Sequence, residues 1–157
     1  MKKLLTALLT IATLSLFAAD KPFYKANEFD IGAFGGLISQ DLNTEKSGAG
    51  IDAAYFPTIN WGLRAETFTL NLAHSTVDQV TGLLVYRIPI KKSCPYFFAG
   101  GGRDLENWEW NLHFGGGIEH RLTKNFGIFT DVRMVKEMGD CPQSPAAMIR
   151  AGIRFAF

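Results

Sequence analysis

The sequence predicts an all-β fold, an eight-stranded antiparallel transmembrane up-and-down β-barrel. Three observations carry the prediction: an export signal at the N-terminus, an alternating C-terminal strand ending in phenylalanine, and eight intervening runs of period-two patterning. After the export signal, no apolar stretch approaches the length of a membrane-spanning helix. Only helices and closed barrels satisfy every backbone polar group in hydrocarbon, so a chain of this pattern enters a membrane as a barrel.

The first element is the leader. Lys2 and Lys3 precede an apolar stretch from Leu4 to Phe17, followed by small Ala18 and Ala19 and the charged Asp20. This is the tripartite layout of a secretory signal peptide. A membrane anchor needs about 20 apolar residues, more than this stretch supplies. No cysteine follows the small residues to accept a lipid. Cleavage is expected near Ala19, although Phe17 fits the usual small-residue pattern poorly. The expected organisation is a signal peptide over 1–19, an N-terminal lead over 20–27 and a barrel domain over 28–157. Removing residues 1–19 takes away two lysines, leaving 138 residues with 14 bases and 15 acids, a formal charge of −1. That balance gives no basis for nucleic-acid binding.

Strands are expected at 28–39, 48–57, 61–69, 79–88, 95–103, 110–122, 126–135 and 147–157. Each is close to the ten residues that a tilted membrane strand requires. Pro57, Asn60, Pro89 and Asn125 mark the breaks. The connectors 57–60, 89–94 and 123–125 are short, whereas 40–48, 70–78, 104–109 and 136–146 are generally longer and more polar. Short periplasmic turns alternating with longer outer loops are the rhythm of a membrane barrel, and an even strand count puts both termini on the periplasmic side.

Parity then assigns faces. With arginines pointing inward, the outward residues at the periplasmic strand ends are Phe29, Tyr55, Trp61, Tyr86, Tyr96, Phe126 and Phe157. Higher on the same faces lie Ile31, Ile51, Leu63, Leu84, Phe98, Ile118, Ile128 and Ile153, with Trp108 and Trp110 in an upper girdle. An apolar band bounded by aromatics suits a bilayer and its interfaces. The inward set is Asp30, Asp52, Arg64, Glu66, Arg87, Glu119, Arg121, Asp131, Arg133, Arg150 and Arg154. Charges persist in a narrow interior when paired and hydrogen-bonded, and the arginine fork can bridge two carboxylates. Gly32, Gly36, Gly101, Gly115, Gly117 and Gly152 either leave room for these side chains or relieve twist and crowding.

The stretch WNLHFGGGIEHRLTKNFGIFTDVRM resembles a hairpin of the OmpA-like and opacity-protein-like outer-membrane barrels, with His120 in place of the usual aromatic. GAGIDAAYFPTINWGLRAE resembles the second and third strands of that family, and CPYFFAGGGR its fifth. The tail AGIRFAF, with Ile153, Phe155 and Phe157 on one face, resembles the terminal strand by which such barrels are recognised for assembly. The resemblance covers most of the mature chain and implies an eight-stranded barrel of the bacterial outer membrane. Its implied partners are outer-membrane lipid, lipopolysaccharide and, through the C-terminal strand, the barrel-assembly machinery. It implies no single biochemical role, since one fold serves many functions.

The residues suggest no enzyme. A hydrolase needs a nucleophile, a base and an orienting acid within hydrogen-bond reach, and no serine stands two positions from a histidine on any strand. Three histidines and two cysteines lack metal-ligand spacing. The triple glycines lack a phosphate loop's lysine. No cofactor or metal is expected. Cys94 is expected in a periplasmic turn and Cys141 in an outer loop, too far apart to bridge. The acids of the outer loops, Asp41, Glu45, Asp104, Glu106, Glu109, Glu137 and Asp140, read as a solvated face. The expected function is a monomeric structural or surface-interaction barrel with a filled interior. The alternatives are a narrow pore for small solutes and a soluble, lipocalin-like secreted barrel with its faces reversed.

Overall fold

Alternation of side chains every second residue is the geometry of a strand, and it runs through every element of the computed structural model, which describes residues 23–39, 45–70, 77–105, 108–138 and 145–157. The strands are β1 (Glu28–Ser39), β2 (Glu45–Phe56), β3 (Trp61–Thr69), β4 (Gln79–Arg87), β5 (Ser93–Asp104), β6 (Trp110–Arg121), β7 (Phe126–Glu137) and β8 (Ala146–Ala156). Each pairs antiparallel with the next, and β8 returns to β1, closing the barrel. The closing ladder runs from Asp30 opposite Ala156 to Ser39 opposite Ala147. Closure removes the unpaired edges that an open sheet would expose.

Strand ends fall within three residues of those expected. β2 begins earlier than its apolar pattern because Leu37, Ile38 and Ser39 of β1 recruit Ser47, Lys46 and Glu45 as backbone partners. A ladder needs only backbone groups, so it continues past the residues whose side chains advertise a strand. The tight turns between β2 and β3, β4 and β5, and β6 and β7 share the end that also holds Phe157 and the start of β1. Local caps fix two of them: Thr58 Oγ1 accepts from the Trp61 amide at 2.9 Å, and Thr123 Oγ1 accepts from the Phe126 amide at 3.0 Å.

The exterior is apolar and the interior charged. Ile51, Leu63, Phe97, Phe114, Ile149 and Phe157 all lie exposed on the outer wall. Within lie twelve buried charged side chains, joined by two aromatic-rich clusters. One comprises Ala54, Phe56, Leu83, Val85, Tyr96 and Phe98, and the other Phe34, Phe68, Phe129 and Met148.

One strand reverses the expected parity. Tyr96 and Phe98, expected on the outer face of β5, are buried inside, while Phe97 is 58% exposed. Gly101 correspondingly leaves the inward set, and Gly100 and Gly102 enter it. The reason is Arg103, whose assumed inward direction set the parity. It lies at the long-loop end of β5, its guanidinium 4.3 Å from the Trp108 ring centre and 5.5 Å from that of Trp110. A rim arginine reaches the aqueous interface along its own stem and needs no interior partner.

Candidate functional site

The distinctive chemistry of this barrel is its interior, where strand alternation converges charged residues from seven strands on one axis. At the foot, nearest the tight turns, the ion pairs form one continuous chain. Arg87 donates to Glu28 at 2.6 Å, and Arg121 donates to the same Glu28 oxygen at 2.9 Å. Arg121 also holds Glu119 at 2.6 Å. Glu119 in turn accepts from Arg154 at 2.7 Å, and Arg154 reaches Asp52 at 3.2 Å. Asp30 lies 3.4 Å from Arg121 and 3.8 Å from Arg87. Gly32 makes this possible, since a Cβ there would stand 2.9 Å from the Asp52 carboxylate oxygens.

A second group sits higher. Arg133 grips both oxygens of Glu66. Arg150 donates to Glu66 at 2.9 Å and holds both oxygens of Asp131, at 2.8 Å and 2.6 Å. The Tyr96 hydroxyl donates to Asp131 at 2.9 Å. His113 Nδ1 lies 3.4 Å from Arg133, and its Nε2 lies 2.7 Å from Asn111 Oδ1. Since arginine only donates, Nδ1 accepts and Nε2 carries the hydrogen.

Each interior arginine also lies against an aromatic face. Arg87 stands 3.7 Å from the centre of Phe56, Arg154 4.2 Å from Phe129, Arg150 4.3 Å from Phe34, and Arg121 4.5 Å from Tyr24. Arg133 faces Phe98 at 4.9 Å. The planar guanidinium allows edge donation and face stacking together, which a lysine cannot reproduce. Arg64 stacks without donating: it faces Tyr96 at 5.1 Å, but its buried Nε and Nη1 have no hydrogen-bond partner.

All eleven residues expected inside are buried. Two further participants lie beyond that set. Glu28 is the hub of the foot, and its parity with Asp30 is the signal that could have found it. Tyr24 had no such signal. The lead folds back beneath the barrel, leaving Tyr24 1% exposed, with its hydroxyl near the Lys92 and Glu119 carbonyls at 3.2 Å and 3.4 Å. Arg121 donates to the Phe23 carbonyl and Arg87 to that of Lys25. Burial, with the Glu119 carboxylate adding to it, holds the Tyr24 phenol above its ordinary pKa.

Of the expected aromatic girdle, Phe29, Tyr55, Trp61, Tyr86 and Phe157 are exposed and Phe126 is half-buried, whereas Tyr96 is interior. Rings pair around the foot: Trp61 with Tyr86 at 4.8 Å, Phe126 with Phe155 at 4.9 Å, and Phe29 with Phe157 at 6.5 Å. Ile153 and Phe155 on β8 are exposed on its outer face, as is Phe157 just beyond the strand. Cys94 is a free, buried thiol at the start of β5 rather than a turn residue; Cys141 lies outside the described residues. Ser93 Oγ meets His120 Nδ1 at 3.0 Å across β5 and β6. Spacing along one strand could not reveal this pair, and no carboxylate orients the imidazole among the described residues. No group of potential metal ligands occurs among those residues either.

No known protein family and no curated protein matches the sequence. Solved structures do match the fold. The chain superposes on the N-terminal β-barrel domain of Pseudomonas aeruginosa OprF with a TM-score of 0.64 at 17% identity, covering 85% of this chain and 99% of that one. Neisserial surface protein A gives 0.60 at 15% identity, over 83% and 96%. The fold is that of the small outer-membrane barrels. A de novo designed transmembrane β-barrel also matches, at 0.61 and 15% identity over 85% and 98%; likeness at this level describes the fold and assigns no activity.

Proposed function

We propose that this protein is an integral β-barrel of the bacterial outer membrane with a structural or surface-interaction role. The signal peptide over 1–19 is removed on export, and the long-loop end faces outward. The observation that supports this most is the reversed distribution of polarity: six arginines and six carboxylates are buried inside, while the outer wall is apolar. In water the opposite arrangement minimises free energy, since burying apolar surface is worth about 25 cal/mol per Å². A soluble, ligand-binding barrel would need its apolar face inside.

The interior serves as a lock rather than a conduit. Eight strands enclose only enough space for side chains, and ion pairs and aromatic rings bridge that space at two levels. Ile153, Phe155 and Phe157 engage the assembly machinery, and the chain acts as a monomer whose contacts with lipopolysaccharide and other partners lie at the long-loop end. No catalytic residue is assigned.

Electrophoresis of the detergent-refolded protein with and without boiling tests the membrane barrel. A compact unheated band that shifts on heating is expected, and its absence together with solubility in plain buffer would overturn the reading. Planar-bilayer recording tests the lock: no steady conductance is expected, and a sustained open level would favour the narrow pore.

A further inference from the structure

Among the described residues the outer wall of the strands is uncharged over most of its area, but at the long-loop end two cations, Arg103 and Lys136, break the pattern. Arg103 lies directly opposite Trp110 in the β5–β6 ladder. Lys136, exposed on β7, lies opposite Leu112 of β6. Strands are about 4.8 Å apart and rise about 3.3 Å per residue, so the two Cα atoms are separated by about 12 Å. Their neighbours along the strands, Asp104 and Glu137, belong by alternation to the other face. Between and above the cations stand Trp110 and Trp108, 58% and 62% exposed. Arg103 is stacked on both rings and donates from Nε to the Trp108 carbonyl at 3.3 Å. Trp108 holds φ at 60°, a left-handed conformation that is strained for a bulky residue and that collects at ligand-contacting sites. Directly below, Leu112 and Phe114 expose 44% and 54% of their surface on β6.

Two cations beside indole faces, with apolar side chains continuing toward the middle of the wall, fit an amphiphile with an anionic head and acyl chains. We propose that Arg103, Lys136, Trp108 and Trp110 form a docking site for the phosphorylated head of an acylated lipid in the leaflet at the long-loop end. Its chains run down over Leu112 and Phe114. The inference rests on the membrane-barrel reading above and adds to it a defined place and ligand chemistry. The guanidinium and ammonium take the phosphate oxygens, since hydrogen bonds between ionised partners are about twice as strong as neutral ones. The indoles sit where one end of the ring is apolar and the other wet.

The test uses the refolded full-length mature chain carrying Trp61→Phe, which leaves Trp108 and Trp110 as its two tryptophans. Mixed micelles containing diphosphorylated lipid A, at increasing mole fraction, are expected to shift the tryptophan emission saturably. Fully dephosphorylated lipid A and inorganic phosphate alone are expected to bind at least tenfold more weakly. At about 1 kcal/mol for each cation near a membrane surface, the double variant Arg103→Gln/Lys136→Gln weakens phosphorylated lipid about thirtyfold. Trp108→Gly, which suits the backbone, also weakens it while keeping the heat-dependent band shift. Equal binding of the two lipids, free phosphate binding as tightly as lipid, or undiminished affinity in the double variant would each overturn the site. If the parent protein shows no heat-dependent shift, the membrane-barrel reading has failed and the site falls with it. A shift without phosphate-selective binding rejects the site alone.

Discussion

At the foot of the barrel four carboxylates (Glu28, Asp30, Asp52 and Glu119) meet three arginines, Arg87, Arg121 and Arg154. In the upper group two carboxylates, Glu66 and Asp131, meet Arg133 and Arg150. Both groups join residues distant in sequence, 93 positions apart for Glu28 and Arg121 and 84 for Glu66 and Arg150, but at the foot the lead also supplies backbone carbonyls and the Tyr24 ring as arginine partners. The upper group is smaller and relies on two-pronged contacts, Arg133 on Glu66 and Arg150 on Asp131, closed by the rings of Phe34 and Phe98. Buried charge is thus satisfied in two ways within one molecule, by folding in a segment from outside the sheet and by concentrating donors on few acceptors. Removing one partner has different consequences in each case.

The largest effect is expected in the upper group. Glu66→Ala strips Arg133 and Arg150 of a shared acceptor and should destabilise the barrel by about 3–5 kcal/mol, read as a lower urea midpoint for loss of the unheated electrophoretic band. Tyr24→Ala should act locally at the foot. It removes packing worth about 3 kcal/mol, so limited proteolysis should cut the lead rapidly while the heat-dependent band shift persists. Global unfolding in this variant would mean that the lead is integral to the barrel rather than a cover for its foot. Gly32→Val pushes a side chain against Asp52 and should cost about 1–3 kcal/mol through overpacking, measured on the same urea series.

A pH series sharpens the difference further. The buried Tyr24 phenol titrates above its ordinary value, so the folded lead retains a proton that the released lead loses near pH 10. Docking is therefore fully stabilised below about pH 10 and weakens as pH rises beyond it. Protease susceptibility of the lead should stay flat up to about pH 10 and climb above it, and Tyr24→Phe should abolish that dependence. The smallest effect belongs to Arg64, which has no ion-pair partner among the described residues. Arg64→Met should leave stability unchanged or raise it, because it replaces a poorly satisfied buried charge with apolar volume. A loss comparable to that of Glu66→Ala would show that Arg64 has a partner of its own.

The expected strands match those observed within three residues because strand geometry repeats every two residues and is written locally. The girdle pairs at Trp61, Tyr86, Phe126 and Phe157 follow the same local rule. Arg103 shows its limit. Parity needs an anchor, and an arginine at the rim has the same identity as one in the core. The string of aromatics and glycines around it, Tyr96-Phe97-Phe98-Ala99-Gly100-Gly101-Gly102, offers no polar alternation to correct the choice. Glu28 was within reach of parity but sat at a strand end, where side-chain direction is weakly marked.

By itself, then, the sequence determined that the chain has strands, how many, and for most of them which residues share a face. Tertiary structure alone decided which residues on those faces meet. Ring closure set the register that brings Arg154 to Glu119 and Asp52, placed Ser93 beside His120, and carried Tyr24 beneath residues of β6. Alternation is a property of neighbours along a chain. The partners of a buried charge are chosen across the barrel by backbone hydrogen bonds that carry no trace of side-chain identity.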